Sequence, residues 1–316
     1  MIDIRDVEAA AKRIAGSVRR TPLLRADHCA DPATDADLWL KLECLQPTGS
    51  FKARGAANKL LTTPREEMLA KGIVTASGGN HGLAVARAAR LAGVPATIFA
   101  PKTVSAEKVE KIRRWGAETR IVGALWDEAN REAIAFAELT GRVYFHPFAD
   151  SAVMAGQGTM GLEILEQLPD VETILVAIGG GGLIAGLATA VKAKRPGARI
   201  IGIEPVGSPT LQISLAAGRV VSLPQVTTRV ATMACGRTDE ANFEIIRRTV
   251  DDIVLITDED MLDAARWLWF EFGIAADLSG AAAVAALRSG RMRPRPSERV
   301  CGLVCGAGSE GVTSVA

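Results

Sequence analysis

Apolar and polar positions along this chain follow two rhythms in turn. Short continuous apolar runs give way to stretches with apolar residues every three to four positions, and the exchange repeats almost to the end. Val7, Ala10, Ala11, Ile14 and Val18 share one helical face. Leu38–Leu42 then reads as a strand and Lys52–Leu61 as a helix. Gly72–Ala76, Ala96–Phe99, Glu118–Val122 and Val143–Phe145 read as strands. Between them, Asn80–Leu91, Ser105–Trp115 and Glu128–Leu139 read as helices. The later half repeats the scheme. Its strands are Thr173–Ile178, Arg199–Glu204, Ile253–Ile256 and Val300–Val304, and its helices include Ala152–Gln167, Leu183–Lys194, Glu259–Phe272 and Gly280–Arg288. Such alternation predicts an α/β fold of parallel sheets flanked by helices, with ligands at the carboxyl ends of the strands. Arg291–Glu298, basic and rich in proline, reads as a surface loop. Trp267, Trp269 and Phe270 read as a buried helix face with one exposed edge.

Bulk properties narrow the class. With 316 residues, 48% of them apolar, the chain suits two α/β lobes rather than one small core. A net charge of +1 argues against nucleic acid or an anionic membrane as partner. Cys29, Cys44, Cys235, Cys301 and Cys305 have no framework spacing and read as free thiols in a reducing compartment. The charged N-terminus is no secretory signal, and no apolar run is long enough to span a bilayer. A cytoplasmic protein is the expectation.

Three segments carry candidate chemistry. In Gln46-Pro-Thr-Gly-Ser-Phe-Lys-Ala-Arg-Gly55, Lys52 opens a helix that Ser50 or Thr48 is placed to cap. A cation opposes the helix dipole there, so the position is unfavourable unless used. The dipole and a dry pocket both lower an amine's pKa, which a lysine that attacks a carbonyl requires. The second segment, Ser77-Gly78-Gly79-Asn80-His81-Gly82, lies between a strand and an alanine-rich helix. Its successive N–H groups suit a carboxylate. The third is Gly179-Gly180-Gly181-Gly182-Leu183, whose glycines let a backbone approach a phosphate at a helix N-terminus. Alone, the third segment also fits a dinucleotide fingerprint. Glu204, 22 residues past Gly182 at a strand end, stands where a ribose-binding acid belongs, so this motif by itself points to a nicotinamide dehydrogenase. Cys305, in Leu303-Val-Cys-Gly-Ala-Gly308, and Cys235 read first as small buried hydrophobes. No cluster around them suggests zinc.

Taken together and in order, Ser50-Phe51-Lys52 to Gly55, Ser77 to Gly82, the tetraglycine run and the terminal Cys305-Gly-Ala-Gly308 resemble the fold-type II pyridoxal-phosphate enzymes. The likeness is to the serine/threonine dehydratase and serine racemase group, and it runs from about Thr21 to the C-terminus. The resemblance implies a tryptophan-synthase-β-like fold of two domains. Residues 1–50 with 148–316 would form the large cofactor domain, and 51–147 the small domain carrying the asparagine loop. It sets the nicotinamide reading aside in favour of pyridoxal 5'-phosphate. Lys52 would hold that cofactor as a Schiff base, with Phe51 packed on its ring and Asn80 on its hydroxyl. The backbone of Gly179, Gly180, Gly181, Gly182 and Leu183 would cradle the phosphate, and Cys305 would face the pyridine nitrogen. Ser77, Gly78, Asn80 and His81 would receive the substrate carboxylate.

The implied reaction is deaminating dehydration of a small β-hydroxy amino acid, L-threonine or L-serine, to a 2-keto acid and ammonia. A neutral thiol at the ring nitrogen favours prompt elimination over transamination. Variants within the group are racemisation and 3-hydroxyaspartate as substrate, the latter if Arg237 enters the pocket. Gly78 stands where the racemases carry a proton-donating serine, so racemisation is expected to be weak or absent. The stretch Thr228-Arg-Val-Ala-Thr232 lacks the acidic pair of the metal-binding members, so no metal is expected. The regulatory domain of biosynthetic threonine deaminases has no counterpart, which suits catabolism. Relatives suggest a homodimer.

Overall fold

The computed structural model describes residues 1–102, 104–124 and 126–313. Its elements run in the order α1 (Ile4–Ile14), β1 (Leu23–Arg25), β2 (Asp37–Leu42), α2 (Lys52–Thr62), α3 (Arg65–Lys71), β3 (Ile73–Ala76), α4 (Asn80–Ala92), β4 (Ala96–Ala100), α5 (Ala106–Arg114) and β5 (Glu118–Ile121). Then come α6 (Trp126–Thr140), β6 (Val143–Tyr144), α7 (Ser151–Gln167), β7 (Thr173–Ala177), α8 (Gly182–Lys194), β8 (Arg199–Pro205), α9 (Thr210–Ala217) and α10 (Glu240–Thr249). The last are β9 (Asp252–Ile256), α11 (Asp258–Phe272), α12 (Leu278–Arg288), β10 (Arg299–Val304) and α13 (Glu310–Thr313).

Two sheets result. One has six strands in the order β1-β2-β10-β7-β8-β9, and the other has four in the order β5-β4-β3-β6. Every pairing is parallel except that of β1 with β2. The predicted α/β class with parallel sheets and flanking helices is therefore the observed one. Central strands β7 and β8 are buried along almost their whole length, which explains why apolar residues predominate in both, with Thr173 and Glu204 as buried exceptions. The antiparallel edge strand Leu23–Arg25 was not foreseen. It is short and half-exposed, with too few residues for a period to show. Helices α3, α9 and α10 were not foreseen either; α3 buries only Met68 of its seven residues.

Topology brings the candidate segments together. β10 and β7 are neighbours, so the loops leaving their carboxyl ends, one with Cys305 and one with Gly179–Gly182, lie side by side. In the smaller sheet β3 and β6 are neighbours, so the Ser77 loop emerges beside Phe145–Phe148. The chain before α2 joins the two sets. Phe51 donates its N–H to the Cys305 carbonyl at 3.1 Å, and Ala307 donates to the Gly49 carbonyl at 2.7 Å. Lys52 thus opens α2 directly beside the end of β10.

Candidate active site

Lys52 is the first residue of α2. Neither Ser50 nor Thr48 caps this helix, contrary to expectation. The capping position is Phe51, with no side-chain cap, and the Ser50 hydroxyl is buried without a partner. Thr48 lies at φ 70° in a tight turn, which carries its hydroxyl away from α2. The half-buried Lys52 side chain donates from Nζ to the Pro147 carbonyl at 2.7 Å. Burial pulls its amine down to about 8, against a small opposing effect of the Cys305 and Cys235 thiols. Among the described residues no carboxylate pairs with it, so a neutral, nucleophilic amine is accessible near neutral pH.

Opposite lies the loop that opens α4. Gly79 caps the helix and donates to the Ser77 hydroxyl at 3.2 Å, while Asn80 donates from Nδ2 to Asp277 Oδ2 at 2.9 Å. Asp277 caps α12, accepting from the Gly280 N–H at 2.6 Å and the Ser279 hydroxyl at 2.7 Å. A sequence-only reading missed Asp277, although Asp-Leu-Ser-Gly before an alanine-rich run is a cap signature. His81 is buried, with Nε2 3.2 Å from the Phe145 carbonyl. A carbonyl only accepts, so Nε2 carries the proton and Nδ1 presents a lone pair, buried and unpartnered. Burial and the nearby Lys52 amine hold this imidazole well below its usual pKa, so it stays neutral. Gly78 closes the loop against Val104, where a Cβ would meet Val104 Cγ2 at 2.6 Å. The loop also borders a cavity of about 370 Å³ that Thr48, Gly49, Trp115 and Ala307 help to line.

The tetraglycine turn has the geometry of an anion cradle. Gly181 sits at φ 91° and caps α8 without a side chain. A Cβ on Gly180 would lie 2.4 Å from the Phe148 ring, and one on Gly182 2.4 Å from the Phe148 carbonyl oxygen. Only glycine fits. Asn242 donates to the Gly180 carbonyl at 2.8 Å and Thr238 to the same oxygen at 3.1 Å, which fixes the peptide's direction. Among the described residues nothing accepts from the N–H groups of Gly179, Gly180 or Gly181. Unclaimed N–H groups at a helix N-terminus are what an anionic tail requires. Leu183 is buried behind them.

Cys305 is buried, with its thiol on the Ser279 carbonyl at 3.3 Å, and burial raises its pKa far enough to keep it neutral. Cys235 is half-buried and donates to the Arg237 carbonyl at 3.1 Å. Glu204 does not face a ligand. Its carboxylate accepts from the N–H groups of Leu211 and Gln212 at 2.8 and 2.9 Å, capping α9, so the ribose-acid reading fails on geometry. Arg237 is exposed, bound to Glu240 at 3.1 Å and Ser222 at 3.3 Å. Trp267 is buried, but Trp269 and Phe270 are exposed, so these three do not form a buried face with one exposed edge: residues two and three positions on from Trp267 turn away from the core around α11. The segment Phe145–Phe148 went unnoticed in the sequence because its contribution is made by backbone carbonyls, which have no residue signature.

An amine of lowered pKa, an anion cradle and an uncharged thiol beside it define a site for an aldehyde cofactor with an anionic tail. The sequence matches the pyridoxal-phosphate dependent enzyme family over residues 14–306, and the chain belongs to it. It is 42% identical over 295 residues to an L-threonine ammonia-lyase of Geobacter sulfurreducens, a span covering 93% of this chain and 73% of that protein. It is 37% identical over 315 residues to a serine racemase of Arabidopsis thaliana, covering 97% and 93%. Among solved structures it resembles maize serine racemase with TM-score 0.91 and 35% identity, covering 96% of this chain and 93% of that one. The fold is that of the fold-type II members. No helix among the described residues is long and apolar enough to cross a membrane.

Proposed function

We propose that this chain is a pyridoxal-phosphate-dependent ammonia-lyase that converts L-threonine or L-serine to the corresponding 2-keto acid and ammonia. The observation that carries the reading is the half-buried Lys52 amine, lowered to about 8, lying between the Pro147 carbonyl and the end of β10. Relatives named for threonine deamination support the choice of reaction. When bound, the cofactor supplies an electron sink that acidifies the substrate's α-carbon.

The protein's own groups do the rest. Lys52 would anchor the cofactor and, when its amine is free, is placed to take the α-proton as a neutral base. Its bond to Pro147 gives the freed amine a fixed place. The N–H groups of Gly179 to Leu183 would hold the phosphate, and Phe51 would pack against the cofactor. Cys305, uncharged, would leave the pyridine nitrogen without a strong proton partner. Ser77, Gly78, Asn80 and His81 receive the substrate carboxylate, with Asp277 orienting the Asn80 amide. The β-hydroxyl leaves as water, so that it and the α-proton together account for one water lost, and the enamine takes up one water as it hydrolyses to the keto acid and ammonia, with no net change in atoms.

Two sheets that hold opposite walls of the site favour division into residues 1–50 with 148–316 and residues 51–147, the smaller unit closing over a small amino acid. A reducing, cytoplasmic setting fits the free thiols, and a homodimer is part of the proposal. 3-Hydroxyaspartate is disfavoured, because the Arg237 guanidinium is engaged by Glu240 at the surface. The test is keto-acid formation from L-threonine, L-serine and 3-hydroxyaspartate by the chain loaded with pyridoxal phosphate. Threonine or serine turnover that disappears in Lys52→Ala supports the proposal, and no turnover of any of the three overturns it.

A further inference from the structure

Behind the reactive lysine lies a buried cluster of four charges for which the reaction has no use. Arg54 is fully buried, and so are Glu43 and Lys41. The Arg54 guanidinium makes two forks at once. Nε and Nη2 donate to Glu43 Oε2 and Oε1 at 2.8 and 2.7 Å. Nη1 and Nη2 donate to Glu163 Oε1 and Oε2 at 2.7 and 2.8 Å, and Nη1 also reaches the Thr159 hydroxyl at 3.1 Å. Lys41 completes the cluster, with Nζ on Glu163 at 2.7 Å, Gln167 at 2.8 Å and the Thr21 carbonyl at 2.8 Å. Glu43 is held from its other side by the Thr21 hydroxyl at 2.6 Å.

Such a cluster is a poor source of stability, since desolvation offsets most of the attraction. Its strength is directional. Both carboxylates sit on elements other than α2, Glu43 after β2 and Glu163 on α7, so the forks fix how α2 is rotated. Rotation needs fixing there. Residues 53, 55, 56 and 57 of α2 are alanine or glycine, and a Cβ on Gly156 of α7 would fall 2.7 Å from the Arg54 carbonyl. Between two such smooth helices polar contacts set the rotation: the Asn58 amide on the Ala152 carbonyl at 2.7 Å, the Gly55 N–H on Gln157 at 3.3 Å and Lys59 on Asp150 at 2.7 Å hold one side of α2, and the buried Arg54 forks hold the side turned away from Lys52. Arg54 follows Lys52 by two positions, about 200° round the helix, so the pinned side and the reactive side belong to opposite faces of one turn.

We propose that Arg54 is a positioning residue, whose doubly forked guanidinium sets the roll of α2 and thereby holds the Lys52 ε-amine at the Pro147 carbonyl in its dry pocket. The inference rests on Lys52 being the reactive amine, and its primary test does not need catalysis. Lysine-specific acylation of the full chain, freed of cofactor, is followed by mass spectrometry as a function of pH. Arg54→Lys keeps the charge but reaches one carboxylate only. Arg54→Met with Glu43→Gln keeps the cluster neutral and removes the forks.

In both variants the labelling midpoint of Lys52 is expected to rise by at least one pH unit, while other lysines label as before. With cofactor and substrate, kcat is expected to fall on the order of a hundredfold, the scale of a misplaced catalytic group, with KM little changed. Should the variants fail to melt cooperatively, Glu163→Gln, at the rim of the cluster, serves instead and is expected to move the midpoint the same way by less. An unchanged Lys52 midpoint in cooperatively melting variants overturns the proposal. So does a normal midpoint in the neutral double variant alone, which would assign the effect to charge and not to geometry. If the loaded wild-type chain deaminates nothing while these midpoints still shift, the functional reading fails and the positioning role stands.

Discussion

The ε-amine of Lys52 donates to the carbonyl oxygen of Pro147 across 2.7 Å, joining residues 95 positions apart in the chain. Lysine comes from the start of α2, and proline follows β6 of the smaller sheet. One hydrogen bond therefore ties the proposed anchor to the wall that carries the Ser77–Gly82 loop. A carbonyl is neutral, so it orients the amine without restoring the ordinary pKa that a carboxylate partner would impose.

A pH dependence follows. With its pKa near 8, about a tenth of Lys52 is neutral at pH 7, against about one in three thousand for an ordinary lysine. Stopped-flow absorbance of the cofactor-free chain mixed with pyridoxal phosphate is expected to show a rate that rises to about pH 8 and then levels. A rate still climbing tenfold per pH unit above pH 9 contradicts this. The same shift affects stability. The folded chain binds fewer protons than the unfolded between about 8 and lysine's ordinary 10.5, so this group makes the fold more stable as pH rises through that window.

Gly180 is expected to tolerate no side chain. Gly180→Ala places a Cβ 2.4 to 2.5 Å from three atoms of the Phe148 ring, an overpacking that costs about 1–3 kcal/mol and displaces the phosphate cradle. Cofactor titration by absorbance is expected to show at least tenfold weaker binding. Gly197→Ala is the control, since a Cβ there meets nothing within 4 Å, and it should bind as wild type.

Racemisation is expected to be weak or absent. Gly78 carries no proton donor, and Val104 leaves no room for one, with Cγ2 at 2.6 Å and Cβ at 2.9 Å from an added Cβ. Chiral chromatography of L-serine incubated with the loaded chain should detect little or no D-serine beyond the uncatalysed background. Gly78→Ser alone should not create the activity, because Val104 must move first. Substantial D-serine produced by the unaltered chain contradicts the assignment of Gly78.

Asp277 couples the asparagine loop to α12. Asp277→Ala removes the cap bonds to Gly280 and Ser279 together with the bond to Asn80, and is expected to cost about 1–2 kcal/mol in urea melts. Asp277→Asn keeps an acceptor for the cap and should melt within about 1 kcal/mol of wild type. Both should raise KM for the amino acid, because Asn80 loses its charged partner. An unchanged KM in both removes Asp277 from substrate positioning.

How much of this was legible in the sequence depends on what kind of group does the work. Lys52, Asn80, Gly179–Gly182 and Cys305 announce themselves because their chemistry is in the side chain, or in the lack of one. Strands such as Thr173–Ala177 were legible because burial on both faces leaves them almost wholly apolar, with only Thr173 polar at the start. The Pro147 carbonyl, the Phe148 ring over Gly180 and the Asp277 cap were not. Each acts through a contact between segments distant in sequence, and no local pattern encodes that. Glu204 shows the opposite error. Its spacing from the glycine run imitates a ribose-binding acid, but the fold turns the carboxylate onto the α9 N-terminus seven residues on. Arg54 lay in plain view beside Lys52, yet its significance appears only with Glu43 and Glu163 around it.

The central claim is that Lys52 is the residue that forms a Schiff base with pyridoxal phosphate. Borohydride reduction of the chain loaded with that cofactor, followed by proteolysis and mass spectrometry, tests it most directly. The account predicts a phosphopyridoxyl group on the peptide containing Lys52 and on no other, absent from Lys52→Ala. A label on a different lysine, or none, contradicts it.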